Sequence, residues 1–344
     1  MKARVKDFLP LTLATTLLMM GLQGQSQASS GTEAASFLDI PVGGRPAALG
    51  SSYSALATDA YAPVWNPAGL GFLNSTQVAG MHLSYLETIN YEFASFVHPF
   101  SPGHSLGVSA QYLSPGNVAS TDLNGNSLGT FSGHYGAYSV SYGQTLNDKL
   151  SLGLTGKVIN AEISDVSANA YAFDAGTLYQ ATDRLSLAAV VANVGTKLTF
   201  IDQADSLPSE FRLGGAYKPT DVLNLTAEAV YEFTGLTSGH LGVEYLPSPF
   251  ISLRAGFRTD TTKDLSALAG FTTGLGLHMW GQEFDYAWVP LGDLGNTQYF
   301  SLVLRFGPTE DNSKNMRTHA KAEMREDYPY REDGMDKDNL RSSL

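Results

Sequence analysis

Between Thr76 and Gly307, apolar and polar residues alternate in about fourteen segments of 8 to 13 residues, separated by turn-forming and polar stretches. Successive strand side chains point to opposite faces, so a period of two divides each segment into two surfaces. Leu223 to Phe233 shows this best. Leu223, Leu225, Ala227, Ala229, Tyr231 and Phe233 share one face, and Asn224, Thr226, Glu228, Val230 and Glu232 share the other. Leu150, Leu152, Leu154 and Val158 oppose Ser151, Thr155 and Lys157, and Ile251, Leu253, Ala255 and Phe257 oppose Ser252, Arg254 and Arg258. The expected strands are 76–85, 91–100, 104–113, 133–145, 149–160, 171–181, 185–194, 209–218, 222–233, 239–246, 250–258, 266–278, 283–289 and 297–306. A soluble antiparallel sheet with one wetted face gives the same alternation, so a secreted β-sandwich stays open on period alone.

The connections separate the two possibilities. Every second one is short and rich in turn residues, as in Ser101-Pro102-Gly103, Asn147-Asp148, Pro219-Thr220-Asp221 and Gly281-Gln282. The others, 114–132, 161–170, 195–208 and 290–296, are expected to be longer. Tight turns at one end and long loops at the other characterise outer-membrane barrels, whereas a sandwich has no reason to sort its loops this way. The expected fold class is therefore an all-β, transmembrane antiparallel β-barrel of about 14 strands, with both wall ends on the periplasmic side. Aromatic residues near strand ends, namely Tyr85, Tyr91, Phe93, Phe100, Tyr112, Tyr142, Tyr245, Phe250, Trp280, Trp288 and Phe306, are the expected interfacial girdles.

Export and charge agree with this. Lys2, Arg4 and Lys6 precede the apolar stretch Phe8 to Leu22, and Ser26-Gln27-Ala28 offers a cleavage site, so 1–28 reads as a signal peptide. No later run reaches the length of an apolar membrane helix, which leaves a closed sheet as the way to span a bilayer. The absence of cysteine excludes disulfides, a lipidated N-terminal Cys and thiolate chemistry. Residues 29–308 carry 34 charges in 280 positions, and residues 309–344 carry 16 in 36. A charge-poor body fits an outer face in lipid. The net charge of −12 offers no basic stripe for nucleic acid.

Two segments break the alternation. Residues 29–75 hold Phe37, Leu38, Ile40, Val42, Leu49, Tyr53, Leu56, Tyr61, Val64, Trp65, Leu70 and Phe72, too many apolar side chains for a solvated leader. A barrel of about fourteen strands encloses more space than its own side chains fill, so this segment is expected as a plug within the lumen. The wall then runs over 76–307. Residues 308–344, with mixed charge and few large apolar side chains, read as a disordered periplasmic tail.

The stretch Pro41-Val42-Gly43-Gly44-Arg45-Pro46-Ala47-Ala48-Leu49-Gly50, followed by Ala57-Thr58-Asp59-Ala60 and Trp65-Asn66-Pro67-Ala68-Gly69-Leu70, resembles the plug of the FadL superfamily of outer-membrane barrels, and within it most of all the PorV/PorQ family. Asp285 to Thr297, including Pro290, Gly292, Asp293, Leu294 and Gly295, resembles that family's last-loop signature. The resemblance implies a non-enzymatic barrel without cofactor. Its partners would be outer-membrane lipid together with secretion-system or surface-attachment proteins and their cargo, as in type IX secretion. The alternative implied is a FadL-like channel for small hydrophobic molecules. The charged extension after Gly307 departs from a barrel that ends on its last strand.

Strand parity places Glu228 and Glu232 on the same side as Glu244, Arg254 and Arg258. This is expected to be a lumen charge network that keeps inward charges paired and holds the plug through Arg45, the alternative being a selectivity patch for a polar solute. Arginine at Thr226, beside these carboxylates, is expected to be tolerated. The histidines show no metal-ligand spacing; His98 and His104 flank a turn and could meet across it. No Gly-x-Ser-x-Gly motif accompanies the carboxylates, which argues against an esterase. Glycines such as Gly274 and Gly276 read as residues that permit wall curvature.

Overall fold

The computed structural model describes residues 33–85, 89–260, 267–292 and 295–307. The expected signal peptide and charged tail lie outside them.

Fourteen strands form the wall: β1 (Thr76–Tyr85), β2 (Ile89–Ser101), β3 (His104–Ser114), β4 (Ser127–Thr145), β5 (Leu150–Ile163), β6 (Val166–Thr182), β7 (Leu185–Gly195), β8 (Glu210–Thr220), β9 (Leu223–Glu232), β10 (Thr237–Ser248), β11 (Ile251–Arg258), β12 (Phe271–Met279), β13 (Gln282–Pro290) and β14 (Asn296–Phe306). Each pairs with its sequence neighbour, and β14 lies beside β1, so one antiparallel sheet closes on itself. A single closed ring excludes the two-sheet sandwich. Closure also satisfies the backbone without a free edge, as a bilayer interior demands.

Alternation sets the two surfaces. Along β9, Leu225, Ala227 and Ala229 are exposed while Thr226, Glu228 and Val230 are buried. Leu154, Leu241, Leu253, Leu302 and Phe300 stand exposed on other strands, part of an outward apolar band far larger than a soluble monomer displays. That band marks the face that meets lipid.

One end of the wall carries tight turns, such as Pro102-Gly103 between β2 and β3. The other carries the longer loops, with two exceptions to expectation. Residues 161–170 are strand, because β5 and β6 continue to a two-residue turn at Ser164-Asp165, where Ser164 takes φ 59°. The 114–132 connection is partly sheet too: Asn117–Thr121 pairs with the outer part of β4. The loop after β7 folds a small hairpin, Leu198–Phe200 with Gln203–Asp205, that buries Leu198. β12 begins later than expected because Ala267–Gly270 forms a 3₁₀ turn.

Three of the expected girdle aromatics, Tyr85, Tyr91 and Phe93, face inward, Tyr85 packing half-buried against the interior. Tyr91 and Phe93 are buried, Tyr91 edge-on to Phe37 and Phe93 stacked on Tyr61 at 5.5 Å between centroids. Their strand parity is lumenal, and the plug supplies the apolar partner that makes an inward aromatic favourable. Phe100 and Tyr142 do stack together at the tight-turn end. His98 and His104 do not meet: His98 bonds Thr76 and His104 bonds Tyr142.

Arginine at Ala227, on the outer face near the middle of β9, should cost about 2 to 4 kcal/mol in lipid vesicles. Thr226, one residue away, is 6 % exposed and packs beside Gly242 and the Leu49 backbone, so the expected tolerance of arginine there is corrected. Thr226→Arg should destabilise by about 1 to 3 kcal/mol through overpacking. Denaturant unfolding in vesicles measures both, and a neutral Ala227→Arg would contradict a lipid-facing position.

Candidate functional site: the plug and the lumen cavity

Residues 33–75 descend through the lumen from the long-loop end to the tight-turn end. Short elements punctuate the path: 3₁₀ turns at Ser36–Asp39 and Pro67–Phe72, and helices α1 (Gly44–Ala48) and α2 (Ala62–Trp65). No helix here is long enough to be stable alone, so the wall must supply what holds the segment in place.

The Asn66-Pro67-Ala68-Gly69-Leu70 motif shows how. Asn66 Oδ1 accepts the Ala68 N–H at 3.1 Å and caps the 3₁₀ turn, while its Nδ2 donates to Ser54 O in the plug and Thr177 O in β6. Pro67 occupies the first helical position, where its missing N–H costs nothing. A Cβ on Gly69 would fall 1.5 Å from Ala57 O, so only glycine permits this chain crossing. Leu70 is fully buried. The wall yields in turn: a Cβ on Gly153 would sit 2.1 Å from the Pro67 carbonyl carbon. The same holds at Gly274, whose Cβ would meet Ala48, and at Gly276, whose Cβ would meet the Arg254 guanidinium. These wall glycines make room for the plug and its anchors, which corrects the reading that they serve curvature.

The Gly43-Gly44-Arg45-Pro46 motif carries the main electrostatic anchor. Gly43 takes φ 98°, and the Gly44 N–H donates to Ser301 Oγ at 2.9 Å. Arg45 then reaches Glu244 as a fork, Nε to Oε1 and Nη2 to Oε2, each at 2.9 Å. Glu244 Oε1 also accepts Arg254 Nε at 2.7 Å, and Asn224 donates to Oε2 at 2.7 Å. Arg254 is fully engaged, with Glu283 at 3.0 Å and Asp285 as further partners, and Arg305 caps Glu283 at 2.8 Å. On the plug side, Tyr53 donates to Asp59, whose other oxygen accepts the Tyr61 N–H. Burial pushes the Asp59 carboxyl upward against the lowering pull of Arg45.

Of the five residues expected to form one network, the structure brings Glu244 and Arg254 together. Glu228 instead accepts the Ser54 N–H at 2.9 Å and its hydroxyl. Glu232 accepts from Thr234, and Arg258 holds Asp260 and Ser51. Sequence reading missed Glu283 and Asp285, although their parity in β13, opposite Phe284, Tyr286 and Trp288, placed them inward. It also missed Glu210 and Arg212 on β8, where Arg212 Nε bonds Glu210 Oε1 at 2.7 Å and its guanidinium lies 5.0 Å over the Trp65 ring. Lys157 was assigned inward, but its partner, Asp174 at 2.7 Å, was not foreseen. Within the last-loop motif, Pro290 ends β13, and the turn beyond it is closed by Leu291 N to Gly295 O and Gly295 N to Gly292 O. Asp293 and Leu294 lie outside the described residues.

Above the plug, at the long-loop end, is a cavity of about 710 Å³. Phe37 and Ile40 of the plug, Tyr85, Leu113 and Tyr299 of the wall and Phe200 of the inturned hairpin give it a largely apolar lining. Convergent aromatic and aliphatic groups in a concave site of this size suit a small apolar ligand.

Glu244→Gln would leave Arg254 and Arg45 short of one carboxylate charge inside the lumen. It should cost about 3 to 5 kcal/mol by denaturant unfolding in vesicles. A double-mutant cycle with Arg45→Met should show coupling of at least about 0.5 kcal/mol, and additivity would mean the fork does not hold the plug.

The model of an uncharacterised protein family, UPF0164, matches residues 12–199, more than half of the chain. No curated protein matches. Solved structures share the fold at low identity. The CymD monoaromatic hydrocarbon channel has a TM-score of 0.56 at 13 % identity, covering 78 % of this chain and 98 % of its own. The Pseudomonas putida toluene transporter TodX gives 0.55 at 13 %, covering 77 % and 98 %, and a Pseudomonas aeruginosa FadL homologue gives 0.53 at 15 %, covering 77 % and 98 %. The fold is thus that of FadL-type outer-membrane barrels.

Proposed function

We propose that this chain, which belongs to the uncharacterised protein family UPF0164, is an outer-membrane barrel that takes a small hydrophobic ligand into the cavity above its plug. The observation that carries this reading is the cavity itself: about 710 Å³, largely apolar, and set at the end with the longer loops. In an outer-membrane barrel that end faces outward, where a ligand arrives. The solved structures named above, among them a monoaromatic hydrocarbon channel and a toluene transporter, support the same reading through their shared fold.

Below the cavity the ligand meets close plug–wall contact, with plug backbone against the wall at Gly256 and, nearer the tight-turn end, at Gly153. Uptake in this reading starts with capture. Passage then requires either a shift of the plug or an exit through the wall.

A second reading is favoured by the plug and last-loop motifs: a partner-binding barrel of PorV/PorQ type, acting in type IX-like secretion or surface attachment. A lumen filled by an anchored plug also suits a barrel that docks proteins. Cross-linking in intact cells followed by purification distinguishes it, since this role requires secretion components or cargo with a C-terminal sorting domain among the captured proteins.

The protein should fractionate with outer membranes and migrate differently on gels before and after boiling; recovery in the soluble periplasm would sink both readings. Leu113→Trp, which narrows the cavity, should weaken binding of decanol to the full chain in nanodiscs by about tenfold, roughly 1.4 kcal/mol. Isothermal titration against empty nanodiscs measures this, and unchanged affinity would place the ligand elsewhere.

A further inference from the structure

The large cavity does not end on the plug. It shares Asp39, Ile40, Pro41 and Arg258 with a second cavity of about 50 Å³ squeezed between the plug and strands β8 to β11. The upper space is largely apolar, and the lower chamber is charged. Its carboxylates are Asp39, Glu210, Glu228, Glu232 and Asp260, against the guanidiniums of Arg212 and Arg258. Arg212 bonds Glu210 through Nε, leaves its buried Nη1 without a hydrogen-bond partner among the described residues and also attracts Glu228, and Arg258 bonds Asp260 at 2.7 Å. Glu33 adds a further carboxylate from the large cavity. Among the described residues the junction therefore brings together more carboxyl groups than guanidiniums.

Glu228 is a second, independent sign that a ligand group belongs there. It is 5 % exposed and lines the chamber. Its Oε2 accepts from Ser54, while Oε1 has no hydrogen-bond partner among the described residues. A buried carboxylate oxygen without a donor is costly, and a donor delivered from the cavity would relieve it. The plug carboxylates point the same way. Burial, then Glu232 and Glu210, push the Glu33 carboxyl up, and burial, then Glu210, Glu33 and Glu232, push Asp39 further up. A cation at the junction would offset this repulsion, whereas an anion would add to it.

We propose that the ligand is an amphiphile with an apolar body in the large cavity and a cationic, hydrogen-bond-donating head, an alkylammonium in chemical class, at the carboxylate junction of Glu33, Asp39, Glu228 and Glu232. The assignment rests on the hydrophobic-ligand reading above and adds the head group to it. It opposes a carboxylate-headed ligand such as a fatty acid.

The test titrates the full chain in nanodiscs of zwitterionic lipid with decylammonium, decanol and decanoate, each corrected for empty nanodiscs. Decylammonium should bind about tenfold more tightly than decanoate, with decanol between them. Asp39→Asn and Glu232→Gln, each checked for heat-modifiable folding, should each move the ammonium-to-carboxylate ratio toward one. If decanol binds but decanoate binds as tightly as decylammonium, the head-group assignment falls and the hydrophobic-ligand reading stands. An undiminished ratio in both folded variants also overturns the assignment. If decanol does not bind at all, the hydrophobic-ligand reading falls and this inference falls with it.

Discussion

A closed ring of fourteen strands encloses more space than inward side chains can fill, and a bilayer outside forbids the wall from collapsing to close it. Everything distinctive in this molecule answers that constraint. The chain supplies its own filling, a segment of some forty residues with almost no regular structure, and the wall is shaped to receive it. Glycines stand where plug backbone meets strand, and polar side chains stand where plug carbonyls and amides need partners: Ser151 donates to Ala68 O and Thr272 to Ala48 O. Without such partners the irregular backbone would carry buried, unpaired groups.

The Arg45–Glu244–Arg254 arrangement follows from the same requirement. Charges inside a plugged lumen are shielded from bulk water, so each must be paired closely or it destabilises the fold. Arg254 satisfies this with three carboxylates, Glu244 on β10 and Glu283 and Asp285 on β13, and Arg45 joins the plug to that set through Glu244. Buried ion pairs add little net stability compared with apolar packing, but they discriminate strongly between the correct geometry and a shifted one. This fits a plug whose apolar residues alone would tolerate sliding along an apolar-lined wall. The fork at Glu244 fixes its register.

The wall was legible in the sequence because a period of two survives even in weak strands, and all fourteen segments lie where alternation placed them. Two kinds of information were not legible. Strand ends were misjudged at 161–170, where β5 and β6 run on with the pattern inverted, small apolar Ala161, Ala168 and Ala170 buried inside and polar Ser167 and Asn169 exposed outside. Side-chain partners were misjudged wherever the plug intervened. Parity alone put Glu228, Glu232, Glu244, Arg254 and Arg258 on one surface, yet Glu228 turns to Ser54 and Arg258 to Asp260 because the plug lies between them. Tyr91 and Phe93 misled for the same reason: they look like interfacial aromatics until a plug gives them an apolar interior to face.

The plug also divides the lumen into unlike environments. Below Pro41 its residues meet the wall closely, and the lumen holds ion pairs and glycine-backed contacts. Above Pro41 the segment thins to one 3₁₀ turn, and space opens beneath the inturned hairpin, whose Ser206 carbonyl accepts the Ala34 N–H. A cavity at that boundary inherits apolar walls from the upper strands and charge from β8 to β11. An apolar molecule entering from the long-loop end therefore meets first a surface that favours it and then a carboxylate-rich junction that tests its polar end. In the proposed ligand-binding reading, selection belongs to the top of the plug, and the anchored lower half keeps that surface in place.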